Sequence, residues 1–415
     1  MHTTTRVAVV GLGYVGLPTA ATLAAGGLDV IGVDLNTVLL DQVNRGETPF
    51  AEPGLSGAVR AAVAAGRLKA SERVPPADAY IIAVPTPLTA GGEPDVSAVL
   101  AAAEAIAGVL AGGEVVVIES TVPPGTTRAV SETIGALRPD LRMPHQPGEP
   151  DVSVAHCPER VLPGRVMAEI VANDRLIGGL TPACAQRGAA IYRSFCAGEL
   201  ILTDAGSAEM AKLAENAFRD VNVAFANELA NVCARLELDV WEIRRLANRH
   251  PRVDILKPGP GVGGHCVAVD PWFIVAAAGE DAPLIRAARQ VNDGRPRRVA
   301  AEIVAACRET GAAAVACLGL AFKAGVGDTR ESPAAEVTRL VAAALPGTPV
   351  LTADPFLAAP PAGLASLANV EFTTAVAAVR AAGVVALLVD HPAFRQLTPA
   401  QLAGKRLCDT RGMWR

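Results

Sequence analysis

Short runs of consecutive apolar, mostly β-branched residues alternate with alanine-rich stretches through the first half of the chain. The runs RVAVVG, LDVIGVD, AYIIAVPTP and GEVVVIES lack the polar alternation of a half-exposed strand. They read as parallel strands buried on both faces. Between them, the stretches from Gly16 to Gly27 and from Val96 to Leu110 carry helical spacing. This β-α alternation predicts a doubly wound sheet. From about Ser207 the period changes: residues 207–237 hold neither Gly nor Pro, and their apolar positions predict one long helix, with more helix to about Asn248. A glycine-rich segment, PGPGVGGHC, follows. After about Arg298 the alternation resumes with a helix, the strand AAAVACLGLAF, a helix beginning near Ser332, and strands around Pro349–Ala353 and Val384–Val389. The fold class expected is α/β, with two Rossmann-like doubly wound domains joined by a long central helix. The expected boundaries are 1–205, 206–300 and 301–415. PHQPGEPD (144–151) reads as a surface loop.

A chain of 415 residues is long enough for two or three domains. Aromatic residues make up only 4%, so the elements must pack through Ala, Val and Leu. The net charge of −5 comes with no basic stripe, which argues against nucleic acid and acidic membrane surfaces as partners. The eight cysteines are scattered without a CxxC pair, a pattern that fits a reducing cytoplasm rather than a disulfide framework. Val7 to Leu28 is uncharged and long enough to cross a bilayer. Its glycines and Pro18 fit a phosphate-binding turn instead, so no membrane span is expected.

That turn is Gly11-Leu-Gly13-Tyr14-Val15-Gly16, directly after the first strand and opening the first helix. The first glycine permits the tight turn, the second lets the backbone approach a pyrophosphate, and the third lets helix pack on strand. Asp34 closes the second strand, where a carboxylate accepts from ribose hydroxyls and repels a 2′-phosphate. NAD is therefore the expected cofactor.

Separated segments carry candidate catalytic chemistry. Lys212 and Asn216 are four apart on the predicted long helix and share a face. An ammonium and an amide converging on one atom would form an oxyanion hole. Cys266 follows the glycines, which allow close approach to its sulfur. A free thiol has a pKa of ~8.5, and a nearby cation raises its thiolate fraction. The pairs His156-Cys157 and His265-Cys266 raise the question of a metal, but adjacent residues cannot easily share tetrahedral ligation, and none is expected. A two-electron dehydrogenase of the 6-phosphogluconate type would share the glycine motif and a lysine without needing Cys266.

GLGYVGLPTA, ESTVPPGTT, CPERVLPG, AKLAENAFRDVNVAFANELA, RHPRVDILKPGPGVGGHCVAVDPWF and GLAFKAGVGDTRESPA resemble, in order, signatures of the UDP-glucose/GDP-mannose dehydrogenase family. The resemblance runs from about residue 6 to the end. It implies NAD-dependent, four-electron oxidation of a nucleotide-sugar C6 alcohol to the carboxylate, through a thiohemiacetal and a thioester on Cys266. Lys212 and Asn216 match the oxyanion donors, Asp270 the carboxylate that works with Lys212, and Glu159 the glutamate implicated in proton transfer and hydrolysis. Asp34, Thr86 and Thr121 match cofactor contacts; Thr126 and Arg330 are assigned with them. Arg160, Val161, Arg219, His250, Arg252, Gly263 and Lys323 fall in segments that hold the nucleotide sugar or help close the site. In relatives, an arginine at the position of Arg252 can reach across a dimer interface, and a homodimer through the central helix is implied. NRHPRV, PGPGVGGHC, AVDPWFIV and the ending VDH…TRGMWR resemble the branch acting on UDP-N-acetyl-D-mannosamine; UDP-N-acetylglucosamine, UDP-glucose and GDP-mannose are alternatives. Ala324 stands where many relatives have Pro, which loosens the expected substrate contacts after Lys323.

Overall fold

The apolar runs become strands in the computed structural model, which describes residues 5–89, 91–264 and 266–414. The chain divides into two compact units, Met1–Glu215 and Asn216–Arg415. The first is built on β1 (Arg6–Val10), β2 (Asp29–Val33), β3 (Leu68–Ser71), β4 (Ala79–Ile82), β5 (Val115–Ile118), β6 (Ser153–His156), β7 (Arg175–Gly179) and β8 (Leu200–Asp204). They form one sheet in the order β3-β2-β1-β4-β5-β6-β7-β8. The pairings from β3 to β6 are parallel, as continuous apolar runs require; β7 then pairs antiparallel with β6 and parallel with β8. The sheet is thus doubly wound with a reversed edge that the sequence pattern does not announce.

Period-two alternation explains why those runs are apolar throughout. Val7, Val9, Ile81 and Val117 enter a core on one face of the sheet, while Ala8, Val10, Ile82 and Ile118 enter a second core on the other. The first helix, Gly16–Ala25, is buried along nearly its whole length, which its small Gly and Ala residues permit.

The second unit repeats the plan with β9 (Val315–Leu318), β10 (Val350–Ala353), β11 (Val370–Phe372), β12 (Val384–Leu387) and β13 (Arg406–Asp409). All pairings are parallel in the order β11-β10-β9-β12-β13. Val315 and Cys317 face one core, Ala316 and Leu318 the other. The predicted long helix runs Ala205–Arg235 and bridges the unit boundary; a second long helix, Pro283–Thr310, leads into β9. Among the described residues, no helix is long and apolar enough to cross a membrane.

Candidate active site

The glycine motif performs three separate tasks. Gly11 has φ +93°, and a side chain there would meet the Ala83 carbonyl oxygen at 2.5 Å. A Cβ on Gly16 would lie 1.8 Å from the Gly11 oxygen, so helix and turn touch at that point. Gly13 alone has open space around it and is exposed. That is the position where a pyrophosphate must approach the backbone and the helix N-terminus. Asp34 is partly exposed beside exposed Leu35 and Val38. Its carboxylate accepts from Leu12 N and Asn36 N, both at 2.9 Å, and two carboxylate oxygens retain capacity for ribose hydroxyls. These residues fit a bound NAD.

The neighbouring loops are held by carboxylates that the sequence reading passed over. Glu52 is buried and receives the Tyr14 hydroxyl (2.6 Å) and the amides of Gly164 and Val166 (3.0 and 2.9 Å). Tyr14, expected at the cofactor, thereby ties the phosphate turn to the segment after CPERVLPG. Glu209, in the first turns of the long helix, accepts from Gly125 N and Thr127 N, each at 2.7 Å. A carboxylate there complements the N-terminus of the helix Thr126–Leu137. Thr86 donates to the Thr121 carbonyl at 2.7 Å, so two expected cofactor contacts meet, and Thr126 donates to Pro123 O at 2.8 Å.

At the end of β6, His156 and the following Cys157 are fully buried. Burial, reinforced by the Lys212 charge, pushes the His156 pKa down to about 3, and burial pushes the Cys157 thiol up to about 12. A thiol held that high is neither a ready nucleophile nor a ready metal ligand. Among the described residues, no group of three His, Cys, Asp or Glu could hold a metal ion; His265, of the second His-Cys pair, lies outside the described residues. Glu159 is mostly buried; its Oε1 accepts from Arg160 N at 2.6 Å, and its Oε2 lies 3.7 Å from Arg175. Arg160 pairs with Glu215 at 2.6 Å. Val161 is partly buried, and Lys212 is 5% exposed on the long helix.

In the second unit, Asn216 donates to Asp270 Oδ2 at 2.5 Å, and Asp270 begins the helix Asp270–Ala278. The Asp270 amide in turn donates to the Cys266 carbonyl at 2.8 Å. Asn216, Asp270 and Cys266 are thus linked, and Cys266 is exposed.

The glycines before Cys266 serve a purpose beyond substrate access. A side chain on Gly259 would meet Arg411, on Gly261 Pro333, on Gly263 the Glu331 carbonyl, and on Gly264 the Phe322 ring. They let the loop lie flat against the segments around β9 and the C-terminus. Asn227, on the long helix, accepts from Gly259 N (2.9 Å), and Arg295 Nε donates to Gly259 O (3.0 Å). Asn227 and Asp220 are both bound by Asn292, and Asp220 pairs with buried Arg289 at 2.6 Å. This buried polar network pins the loop. Lys323 follows Phe322 with its ammonium 5.7 Å from that ring. Arg330 is exposed and paired with Asp328 at 2.6 Å. Arg219, His250 and Arg252 are exposed.

Residues 5–196, 206–294 and 316–415 match, respectively, the NAD binding, central and UDP binding domains of one family's models. The chain belongs to the UDP-glucose/GDP-mannose dehydrogenase family. As a family member it is an oxidoreductase that uses NAD and acts on a nucleotide sugar. It is similar to an NDP-N-acetyl-D-galactosaminuronic acid dehydrogenase of Ralstonia nicotianae, 52% identical over 98% of this chain and 96% of the relative. It is also similar to a UDP-N-acetyl-D-mannosamine dehydrogenase of Salmonella typhi, 48% identical over 99% of each chain. A solved UDP-D-ManNAc dehydrogenase from Pyrococcus horikoshii superposes with a TM-score of 0.87 at 37% identity, covering 99% of this chain and 96% of that one.

For a dehydrogenase of this family, the residues missed in the sequence are those that hold others in place: Glu52, Glu209, Asp220, Asn227, Arg289 and Arg295. One signal was available. Asp220 and Asn227 stand seven apart in FRDVNVAFANELA, on one side of the helix, where polar residues call for buried partners.

Proposed function

We propose that this dehydrogenase oxidises the C6 alcohol of UDP-N-acetyl-D-mannosamine to the carboxylate, consuming two NAD per sugar. The observation that carries the reading is the exposed Cys266 at the end of a pinned glycine loop, whereas Cys157 and Cys317 are buried with thiols pushed up to about 12. NAD, when bound along Gly11–Gly16 and Asp34, supplies the hydride acceptor for both oxidations. Cys266 adds to the C6 aldehyde as a thiohemiacetal, and Lys212 and Asn216 hold its oxygen. Asn216 spends one N–H on Asp270, which orients the other for that task. Loss of the second hydride leaves a thioester on Cys266, and Glu159 accepts a proton from the water that hydrolyses it. Arg160, Val161, Arg219, His250, Arg252, Gly263 and Lys323 would hold the nucleotide sugar, and Thr86, Thr121, Thr126 and Arg330 would complete the cofactor contacts.

The division 1–205, 206–300 and 301–415 would separate NAD binding, dimerisation with catalysis, and UDP binding. A homodimer is supported by Phe218, Phe225 and Val232, which repeat every seven residues on the long helix and are 73%, 56% and 46% exposed. Eight scattered cysteines without a CxxC pair support a cytoplasmic setting. A second substrate reading, an NDP-N-acetyl-D-galactosamine-type sugar, is favoured by the 52% identity to the Ralstonia relative.

A panel of nucleotide sugars tests the choice, with initial NADH formation as the readout. UDP-N-acetyl-D-mannosamine is expected to be turned over fastest. Preference for the galacto isomer would move the substrate to the second reading, and preference for UDP-glucose would remove both.

A further inference from the structure

Behind Glu159 lies a buried group of charges that the proposed reaction does not yet use. Arg175, at the start of β7, is 4% exposed. Its guanidinium lies 3.7 Å from Glu119 Oε1 and 3.7 Å from Glu159 Oε2. It also donates to Ile170 O (3.2 Å) and to the Cys157 sulfur (3.6 Å), and lies over the rings of Tyr192 and Phe195 at 5.0 and 5.3 Å. One cation therefore faces two carboxylates. The two are not equally served. Glu119, at the end of β5, already accepts from Thr19 (2.9 Å) and Tyr192 (2.8 Å). Glu159 Oε2 is buried without a hydrogen-bond partner, and so is Arg175 Nε. Buried carboxylate oxygens in that condition are costly and need a reason.

We propose that Arg175 is a positioning residue that holds Glu159 for hydrolysis of the Cys266 thioester, and that Glu119 competes with Glu159 for it. This rests on the proposed function. In the step concerned, a water oxygen bonds to the acyl carbon, the carbon–sulfur bond breaks, the electron pair leaves on the Cys266 sulfur, and a water proton passes to Glu159. The carboxylate keeps lone pairs for that proton because Arg175 is near enough to orient it yet makes no hydrogen bond to Oε2.

Competition makes the arrangement sensitive to pH. Burial pushes Glu119 up to about 7; Arg175 opposes the shift and Glu159 adds to it. The other titratable groups facing Arg175 and Glu119 are Tyr192 and Cys157, both pushed up by burial, Cys157 to about 12. Near neutrality only Glu119 changes charge among these three. Below about pH 7 Glu119 is neutral and Arg175 serves Glu159 alone; above it the cation is shared.

The experiment uses the full-length enzyme, NAD, and whichever nucleotide sugar gives NADH in the panel. NADH is followed in a rapid-mixing burst, and the acyl adduct on Cys266 is measured by intact mass after acid quench. Glu159→Gln provides the reference and should show a burst of two NADH per site with accumulated adduct. Arg175→Lys should show the same burst and adduct, with steady-state turnover reduced by about tenfold or more, a share of what general base catalysis supplies. Glu119→Gln should keep the burst and lose an inflection near pH 7 in the rate of adduct hydrolysis. If Glu159→Gln accumulates no adduct, the proposed function fails and takes this inference with it. If Glu159→Gln accumulates adduct while Arg175→Lys loses burst and turnover together, Arg175 is structural and this inference alone fails. Should Arg175→Lys not fold, Glu119→Gln decides: an unchanged inflection overturns the proposal.

Discussion

The two sheets use the same backbone device at their central strands and put it to opposite ends. Gly11 follows β1 and Gly319 follows β9, both at φ +93°. Each donates its N–H to the last residue of the neighbouring strand, Val33 O at 2.7 Å and Ala353 O at 2.8 Å. Each is followed by a leucine whose amide donates to an aspartate beyond that strand: Leu12 to Asp34 at 2.9 Å, Leu320 to Asp354 at 2.8 Å. There the likeness ends. Asp34 is partly exposed, with Gly13 open beside it. Asp354 is buried and also accepts from Ala321 N and Phe356 N (3.0 and 2.9 Å), and His391 Nε2 lies 3.1 Å from it. The other His391 nitrogen accepts from Gly325 N at 3.3 Å, so one ring tautomer satisfies both bonds. The second turn then runs into Phe322-Lys323 rather than into a helix. A sheet's switch point is thus opened to a dinucleotide or closed on itself by the residues around one aspartate.

Substitutions on the two sides should separate accordingly. The largest effect belongs to Gly16→Ala, whose Cβ would sit 1.8 Å from the Gly11 oxygen. It should cost upward of about 3 kcal/mol and abolish NAD binding, measured by thermal unfolding and NAD titration. Its counterpart, Gly319→Ala, would meet Val389 at 2.4 Å and should destabilise the protein while leaving NAD affinity unchanged. Weakened NAD binding in Gly319→Ala would break the comparison.

The aspartates come next. Asp354→Ala leaves buried amides and His391 without a partner and should cost about 2–4 kcal/mol in denaturant unfolding. Asp34→Ala should be milder in stability but narrow the preference for NAD over NADP by about tenfold, the worth of one charge-assisted hydrogen bond. Comparable unfolding free energies for the two variants would contradict an open first site and a closed second one.

A pH dependence set by two groups of the first unit comes last. Glu119 is raised to about 7 from 4.5, so between these values the folded state binds more protons than the unfolded state. Its contribution to stability is present below 4.5 and is lost as pH rises toward 7. His156, lowered to about 3 from 6.5, has the opposite sign: its contribution is present above 6.5 and lost as pH falls toward 3. Between 4.5 and 6.5 the two slopes oppose each other. Glu119→Gln should therefore gain stability relative to the parent as pH rises through that window, by up to about 1.4 kcal/mol per pH unit. A constant difference between the two proteins across the window would contradict the Glu119 shift.

What the sequence made legible follows from how local each feature is. Parallel strands announced themselves in RVAVVG and GEVVVIES because burial on both faces leaves no polar position to mislead. The long helix Ala205–Arg235 was bounded within two residues, since no Gly or Pro occurs in it after Gly206. Strands such as β7 and β8 were not found, because RLIGG and LILTD are short and the pairing of β7 with β6 reverses direction. At the first turn, the tight packing at Gly11 and Gly16 and the place of Asp34 just beyond β2 were readable from spacing alone. Asp354 and His391 were not: they lie 37 residues apart and act only when the chain brings them together. The glycines before Cys266 were visible, but their close packing against Phe322, Pro333 and Arg411 depends on contacts distant in sequence.

The proposed four-electron oxidation through Cys266 is tested most directly by counting NADH per nucleotide sugar consumed, in the parent and in Cys266→Ala. With the sulfur present, two NADH should form per sugar carried to the carboxylate. In Cys266→Ala no thiohemiacetal or thioester can form, so sustained NADH production should fall by orders of magnitude while fold and NAD affinity are kept. The C6 aldehyde supplied directly should not restore it. Two NADH per sugar from the alanine variant, at a rate near that of the parent, would contradict the account.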